Sequence, residues 1–80
     1  MDKKTKIVVY SSPDCMYCYT VKGFLEEKGF KYEEINIYED SKAYERMVEF
    51  SEQKNVPVTV IGDEVIIGWD KEKFKIVLDI

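Results

Sequence analysis

Histidine is absent from this 80-residue chain, and cysteine occurs only twice. A closed structural zinc site takes four nitrogen or sulfur ligands. Two thiols and no imidazole cannot complete one within a single chain; only a dimer could. Long apolar runs are missing as well. No stretch approaches the ~20 apolar residues that cross a bilayer. The charged start MDKKTK leads into an apolar run of only Ile7 to Tyr10, too short for the core of a secretory leader. A surplus of base is also lacking, since 12 Lys and Arg face 16 Asp and Glu for a net charge of −4. General binders of nucleic acid or anionic membrane concentrate positive charge, so neither partner is expected. Internal repeats, low-complexity tracts and linkers are absent too.

What remains is the composition of a folded soluble protein, 45% hydrophobic and 35% charged. Its length fits one domain over residues 1–80. A chain of this size buries roughly 60–65% of the surface its unfolded form exposes. The expected setting is the cytoplasm, as a monomer. Thiols there are kept reduced, so a close cysteine pair is more often catalytic or metal-binding than a structural staple.

The apolar pattern divides the chain into seven elements. KIVVY (6–10) is a short β-branched run and reads as a buried strand. SSPD (11–14) interrupts it and opens a helix from Cys15, with Tyr17, Val21, Phe24 and Leu25 as its apolar stripe and Cys18 on the flank. Lys28-Gly29 ends it. FKYEEINI (30–37) alternates at Ile35 and Ile37 as a second strand. Asp40 or Ser41 caps a second helix, with Ala43 or Tyr44, Met47, Val48 and Phe50 facing inward, to about Lys54. VTVI (58–61), a Gly62-Asp63-Glu64 turn and VII (65–67) form a hairpin. Asp70 caps a last helix with Phe74, Val77 and Leu78 on one face. The order β-α-β-α-β-β-α implies an α/β fold. The first strands lie parallel, the hairpin adds antiparallel strands, and three helices flank a four-stranded mixed sheet on both faces.

Both cysteines fall in SSPDCMYC, at the junction of the first strand and first helix. Cys15 at the first helical position and Cys18 one turn on bring the thiols within bridging reach. Unpaired N–H groups and the partial positive charge of the helix end stabilise a thiolate on Cys15. Thiols in such pairs have pKa values of roughly 3.5–7.5, against about 8.5 for a free cysteine. Cys18, deeper in the helix, stays a thiol. Cys15 then attacks a disulfide and Cys18 resolves the mixed disulfide by attacking Cys15. Two inert buried cysteines are the alternative, and the exposed turn before Cys15 argues against it.

VVYSSPDCMYC followed by Lys22, then NVP (55–57), then IIGWD (66–70), resembles the glutaredoxins over nearly the whole chain. It is especially similar to small bacterial glutaredoxin-like redoxins of the thioredoxin superfamily. The resemblance implies a thioredoxin-like fold and dithiol–disulfide exchange on protein disulfides or glutathione mixed disulfides. Cys15 would be the nucleophile and Cys18 the resolving thiol. It further implies a cis bond at Val56-Pro57, where the Val56 backbone meets an extended substrate. Gly68, Trp69 and Asp70, at the start of the last helix, would take the γ-glutamyl end of glutathione. Tyr17 would flank the ligand, and Gln53 and Lys54 would stand near its glycyl carboxylate. Glutathione enters as a cosubstrate, with no tightly bound cofactor and no metal.

Several positions depart from the family pattern. Many glutaredoxins place Lys three residues before the first Cys; Ser12 stands there. Asp14 beside Cys15 pushes its pKa upward. Met16 replaces the Pro of the family's CPYC, and Ile67-Gly68-Trp69 replaces a Gly-Gly pair and a small residue. These changes bear on glutathione and leave the dithiol chemistry intact. They open a second reading, a redoxin reduced by thioredoxin reductase that feeds ribonucleotide reductase or another reductase. A third is a dimer around a [2Fe–2S] cluster, each chain giving its first Cys and a bound glutathione. Lys71, Lys73 and Lys75 read as a solvated helix face.

Overall fold

The computed structural model describes residues 6–80; the charged start at 1–5 lies outside them. Seven elements follow in the expected order: β1 (Ile7–Ser11), α1 (Met16–Glu27), β2 (Glu33–Asn36), α2 (Ser41–Ser51), β3 (Val58–Ile61), β4 (Glu64–Ile67) and α3 (Lys71–Leu78). The strands form one sheet in the order β2-β1-β3-β4. β1 pairs parallel with β2, while β1–β3 and β3–β4 are antiparallel. This is the thioredoxin-like α/β fold.

Alternation along the strands splits the core into two layers. Ile7 and Val9 of β1, Ile61 of β3 and Ile66 of β4 face Val21, Phe24 and Leu25 of α1 and Phe74 of α3. Tyr10 and Val58 face the other way, against Ala43 and Met47 of α2. β1 thus faces apolar neighbours on both sides, which explains its β-branched run. Each fully buried Leu, Val, Ile or Phe contributes ~1.5–3 kcal/mol.

Local chemistry fixes the element ends. α1 closes on Gly29, whose φ of 81° lies in the left-handed region. There Gly29 N–H donates to Glu26 O and Phe30 N–H to Leu25 O, satisfying two end carbonyls. Asp40 caps α2, its Oδ1 accepting from Ala43 N–H at 3.0 Å. Gly62, with φ 59°, leads the two-residue turn between Ile61 and Glu64.

Five expectations shift. α1 begins at Met16, with Cys15 as its N-cap instead of its first helical residue. Tyr17 is 63% exposed, and Cys18 takes the inward place assigned to it. α2 ends at Ser51, short of Lys54, because Glu52 turns left-handed at φ 60°. Ser51 Oγ donates to Met47 O and accepts from Gln53 N–H. Ser51 is also the inward residue there, while Phe50 is partly exposed with its ring edge against Tyr10. β2 is confined to Glu33–Asn36 within the expected 30–37.

Candidate functional site

Cys15 caps α1 with its own sulfur. Its backbone is extended (φ −103°, ψ 110°), and Cys18 N–H donates to Cys15 Sγ at 3.0 Å. A serine or aspartate oxygen usually fills this position. Here the sulfur receives the free N–H and the positive helix end together, both of which favour a thiolate. The two cysteines are joined as a disulfide across a Cα–Cα distance of 5.2 Å. They are unequal in access: Cys15 is half-buried and Cys18 is 1% exposed. An incoming sulfur can reach only the first.

Sheet order brings the remaining candidates to the same end of the molecule. The loop carrying Cys15 leaves the C-terminal end of β1, where Tyr10 pairs with Val58 at the start of β3. Val58 in turn pairs with Ile67 at the end of β4. Pro57 immediately precedes β3, is buried, and is joined to Val56 by a cis peptide bond. Its carbonyl accepts from Gly68 N–H at 2.9 Å, tying the proline turn to the strand that delivers Trp69 and Asp70. Asp70 is exposed and caps α3, Oδ1 accepting from Lys73 N–H at 3.2 Å. Gln53 is half-buried and Lys54 exposed in the segment from α2 to Pro57. Met16, 81% exposed, and Tyr17 stand beside the cysteine pair. The Trp69 ring is turned into the core, with centroids 5.3 Å from Phe24 and 5.7 Å from Phe74.

A polar network behind the pair was not read from the sequence. Ser11, buried at the end of β1, donates its Oγ–H to Glu34 Oε2 at 2.8 Å. Lys22 Nζ, one turn beyond Cys18, meets the same oxygen at 2.6 Å and lies 4.7 Å from the Tyr19 ring centroid. The Lys22 hydrogen bond holds the Glu34 carboxyl below its usual pKa; partial burial opposes this and the Ser11 bond reinforces it. Together they clasp α1 to β2 beside the root of the Cys15 loop. Positions 11, 22 and 34 share no local pattern, so only pairing of the elements reveals them. Thr59, fully buried on β3, was also missed; its Oγ1 has no hydrogen-bond partner.

An accessible sulfur at a helix end, bonded to a buried one beside a cis-proline turn, defines a dithiol redoxin on a thioredoxin-like scaffold. Comparison with known proteins agrees. The glutaredoxin family model matches residues 7–66, and the chain belongs to the glutaredoxin family. It is 35% identical over 65 residues to an uncharacterized glutaredoxin-like 8.6 kDa protein in the rubredoxin operon of Clostridium pasteurianum, covering 81% of this chain and 87% of that one. The thioredoxin-like protein BC3987 superposes with a TM-score of 0.84 at 36% identity, over 90% of this chain and 99% of the other. The glutaredoxin-like protein NrdH-redoxin from Escherichia coli, described by its thioredoxin-like activity profile, gives 0.80 at 27% identity, over 88% and 91%. Among the described residues no helix is long and apolar enough to cross a membrane.

Proposed function

We propose that the protein reduces protein disulfides and protein–glutathione mixed disulfides, with glutathione as its electron donor. The observation that carries this is the unequal pair: a half-buried Cys15 sulfur capped by Cys18 N–H, backed by a buried Cys18. In the reduced protein that N–H donates to the Cys15 thiolate. The thiolate attacks one sulfur of the substrate disulfide, the new Cys15–substrate bond forms, and the other substrate sulfur leaves as a thiolate that takes up a proton. Cys18 gives up its proton and attacks Cys15 Sγ. The substrate thiolate departs, and the protein is left as the Cys15–Cys18 disulfide. One glutathione thiolate reopens that bond and a second releases the protein as a dithiol, leaving glutathione disulfide.

For glutathione, Tyr17 flanks the tripeptide and the Val56 backbone beside Pro57 pairs with its extended chain. Gln53 and Lys54 receive the glycyl carboxylate. The backbone from Gly68 through Trp69 to Asp70 receives the γ-glutamyl end, Asp70 pairing with the ammonium. Trp69 serves through its backbone, since its ring is committed to Phe24 and Phe74.

Specific observations favour a second reading, a redoxin reduced by thioredoxin reductase. Ser12 leaves no cation three residues before Cys15, Asp70 Oδ1 is engaged as a cap, and the similar NrdH-redoxin has a thioredoxin-like activity profile. The deciding experiment is turnover of a glutathionylated peptide with either glutathione and its reductase or thioredoxin reductase alone. Activity with glutathione is the expected result; activity with thioredoxin reductase alone would replace the first reading by the second. In the same assay Cys15→Ser abolishes turnover. Cys18→Ser keeps reduction of glutathione mixed disulfides and loses exchange with protein disulfides. Substantial turnover by Cys15→Ser would remove the nucleophile assignment.

A further inference from the structure

β4 is an edge strand and runs from the hairpin toward the end of the sheet that holds the Cys15 loop and Pro57. α3 starts at that end, at its Asp70 cap, and returns beside β4. Between them lies a groove of about 630 Å³, lined by Glu64 of β4, by Asp70, and by Glu72, Lys73, Ile76 and Val77 of α3. Side chains alternate along a strand, so Glu64 shares the α3 side of β4 with the buried Ile66. From Asp70 to Ile76 the helix rises about 9 Å, roughly the reach of three extended residues.

The groove has an apolar floor and an acidic rim. Val77 is half-buried against the core and anchors the floor. Ile76 is 77% exposed, and among the described residues only Met16, beside the cysteine pair, is a more exposed large apolar side chain. Exposed apolar surface framed by charge marks a binding site better than a scattered residue does. Three carboxylates against one ammonium leave the lining with a net charge of −2. Among the described residues the ion pairs are Lys6–Glu33 and Lys22–Glu34, and they use none of these carboxylates. Lys71 and Lys75 of α3 line no part of the groove. A second copy fits poorly, since a two-fold contact would set these carboxylates against themselves, and the chain as a whole carries −4.

We propose that this groove docks a segment of the protein substrate that flanks the reacting cysteine and carries a Lys or Arg together with an apolar side chain. The cation meets Glu64 and Glu72, and the apolar side chain covers Ile76. The groove opens at Asp70, at the end of the sheet where Cys15 is accessible, so a segment seated in it continues toward the sulfur. Docking sets which protein disulfides are reduced and leaves the thiol exchange itself unchanged. The proposal rests on the dithiol reading of the pair and is independent of which reductant serves it.

The test uses the reduced full chain and peptides whose single cysteine is disulfide-bonded to thionitrobenzoate. Cys15 attacks the peptide sulfur, and thionitrobenzoate leaves with the electron pair and is read by its yellow colour. The cysteine is flanked on both sides by Lys and Leu, by Glu and Leu, or by Gln and Ser; glutathione–thionitrobenzoate is the small substrate. Wild type is expected to react fastest with the Lys–Leu peptide. Glu64→Gln/Glu72→Gln is expected to cut its preference for Lys–Leu over Glu–Leu by about fivefold, the combined effect of two exposed charge pairs. Ile76→Ser is expected to slow both leucine peptides by about threefold, the loss of part of one apolar contact, and to spare the Gln–Ser peptide. Both variants keep the wild-type rate with glutathione–thionitrobenzoate. A control, Glu45→Gln/Glu49→Gln, removes the same charge from exposed positions of α2 and keeps the preference. An unchanged preference in the groove variant overturns the proposal, as does an equal loss in the control, which would assign the effect to the field of the whole protein. An Ile76→Ser variant that treats every peptide as wild type does overturns it as well. Wild type that releases thionitrobenzoate from no substrate would remove the dithiol reading itself.

Discussion

Glu34 links three elements through a single carboxylate oxygen, and its charge is what holds them. The Lys22 hydrogen bond lowers the Glu34 pKa on folding, so the link stabilises the native state above the ordinary carboxylate range. That contribution fades as pH falls from the unfolded carboxylate's pKa through the folded one. Glu34 is 42% exposed at the side chain, so solvent screening limits the link to ~0.5 kcal/mol. Glu34→Gln is therefore expected to lower the melting temperature at pH 7 by about 2–4 °C for a protein of this size. The gap should close in acid, once the pH has fallen below the lowered pKa of folded Glu34 and both proteins carry a neutral side chain. A gap that persists in acid would show that shape, not charge, binds Ser11 and Lys22. At this scale the sequence revealed the cysteines, the Asp70 cap and, as one of two candidates with Ser41, the Asp40 cap, each through its immediate neighbours. It did not reveal Ser11–Glu34–Lys22 or Thr59, whose significance depends on what faces them across space.

Helix ends show how local chemistry and function share residues. Cys15 Sγ, Asp40 Oδ1 and Asp70 Oδ1 each accept an N–H three residues on. If capping by sulfur contributes to stability, reduced Cys15→Ala should be less stable than reduced Cys15→Ser by ~1 kcal/mol in urea unfolding, because only serine keeps an acceptor. Equal stabilities would reduce the cap to a geometric coincidence. Asp40→Ala and Asp70→Ala should each lose a similar ~1 kcal/mol. Only Asp70→Ala should also raise the KM for glutathione; an unchanged KM in both would withdraw Asp70 from the proposed ligand site. Spacing predicted that these elements exist more reliably than where they stop. The end of α2 was missed because Ser51 turns its hydroxyl back on the helix and Glu52 takes a left-handed φ of 60°. No glycine announces that turn.

Across the whole molecule, a sheet with apolar layers on both faces sets the site's geometry. Phe74 is fully buried and touches Trp69 and Phe24, so it joins α3 to the layer that contains Cys18. Phe74→Ala is expected to cost ~3–5 kcal/mol. Total stability for 80 residues is on the order of 4–12 kcal/mol, so the variant should unfold at much lower urea and lose part of its redox activity with its fold. Retention of the wild-type midpoint would mean that α3 is not integral to this layer.

The sequence by itself determined the order of the elements, the mixed sheet and the place of the cysteine pair. These follow from hydrophobic period, turn chemistry and capping, which act over a few residues. Tertiary structure decided which sulfur is accessible, that the Trp69 ring faces inward, and that Gly68 is bonded to the proline turn. It also decided that Ser11, Lys22 and Glu34 meet and that Thr59 lies buried without a partner. Each of these depends on the phase of a helix against the sheet or on strands brought together from distant parts of the chain. Neither is encoded in any one stretch of residues; both emerge when the two faces of the sheet are covered.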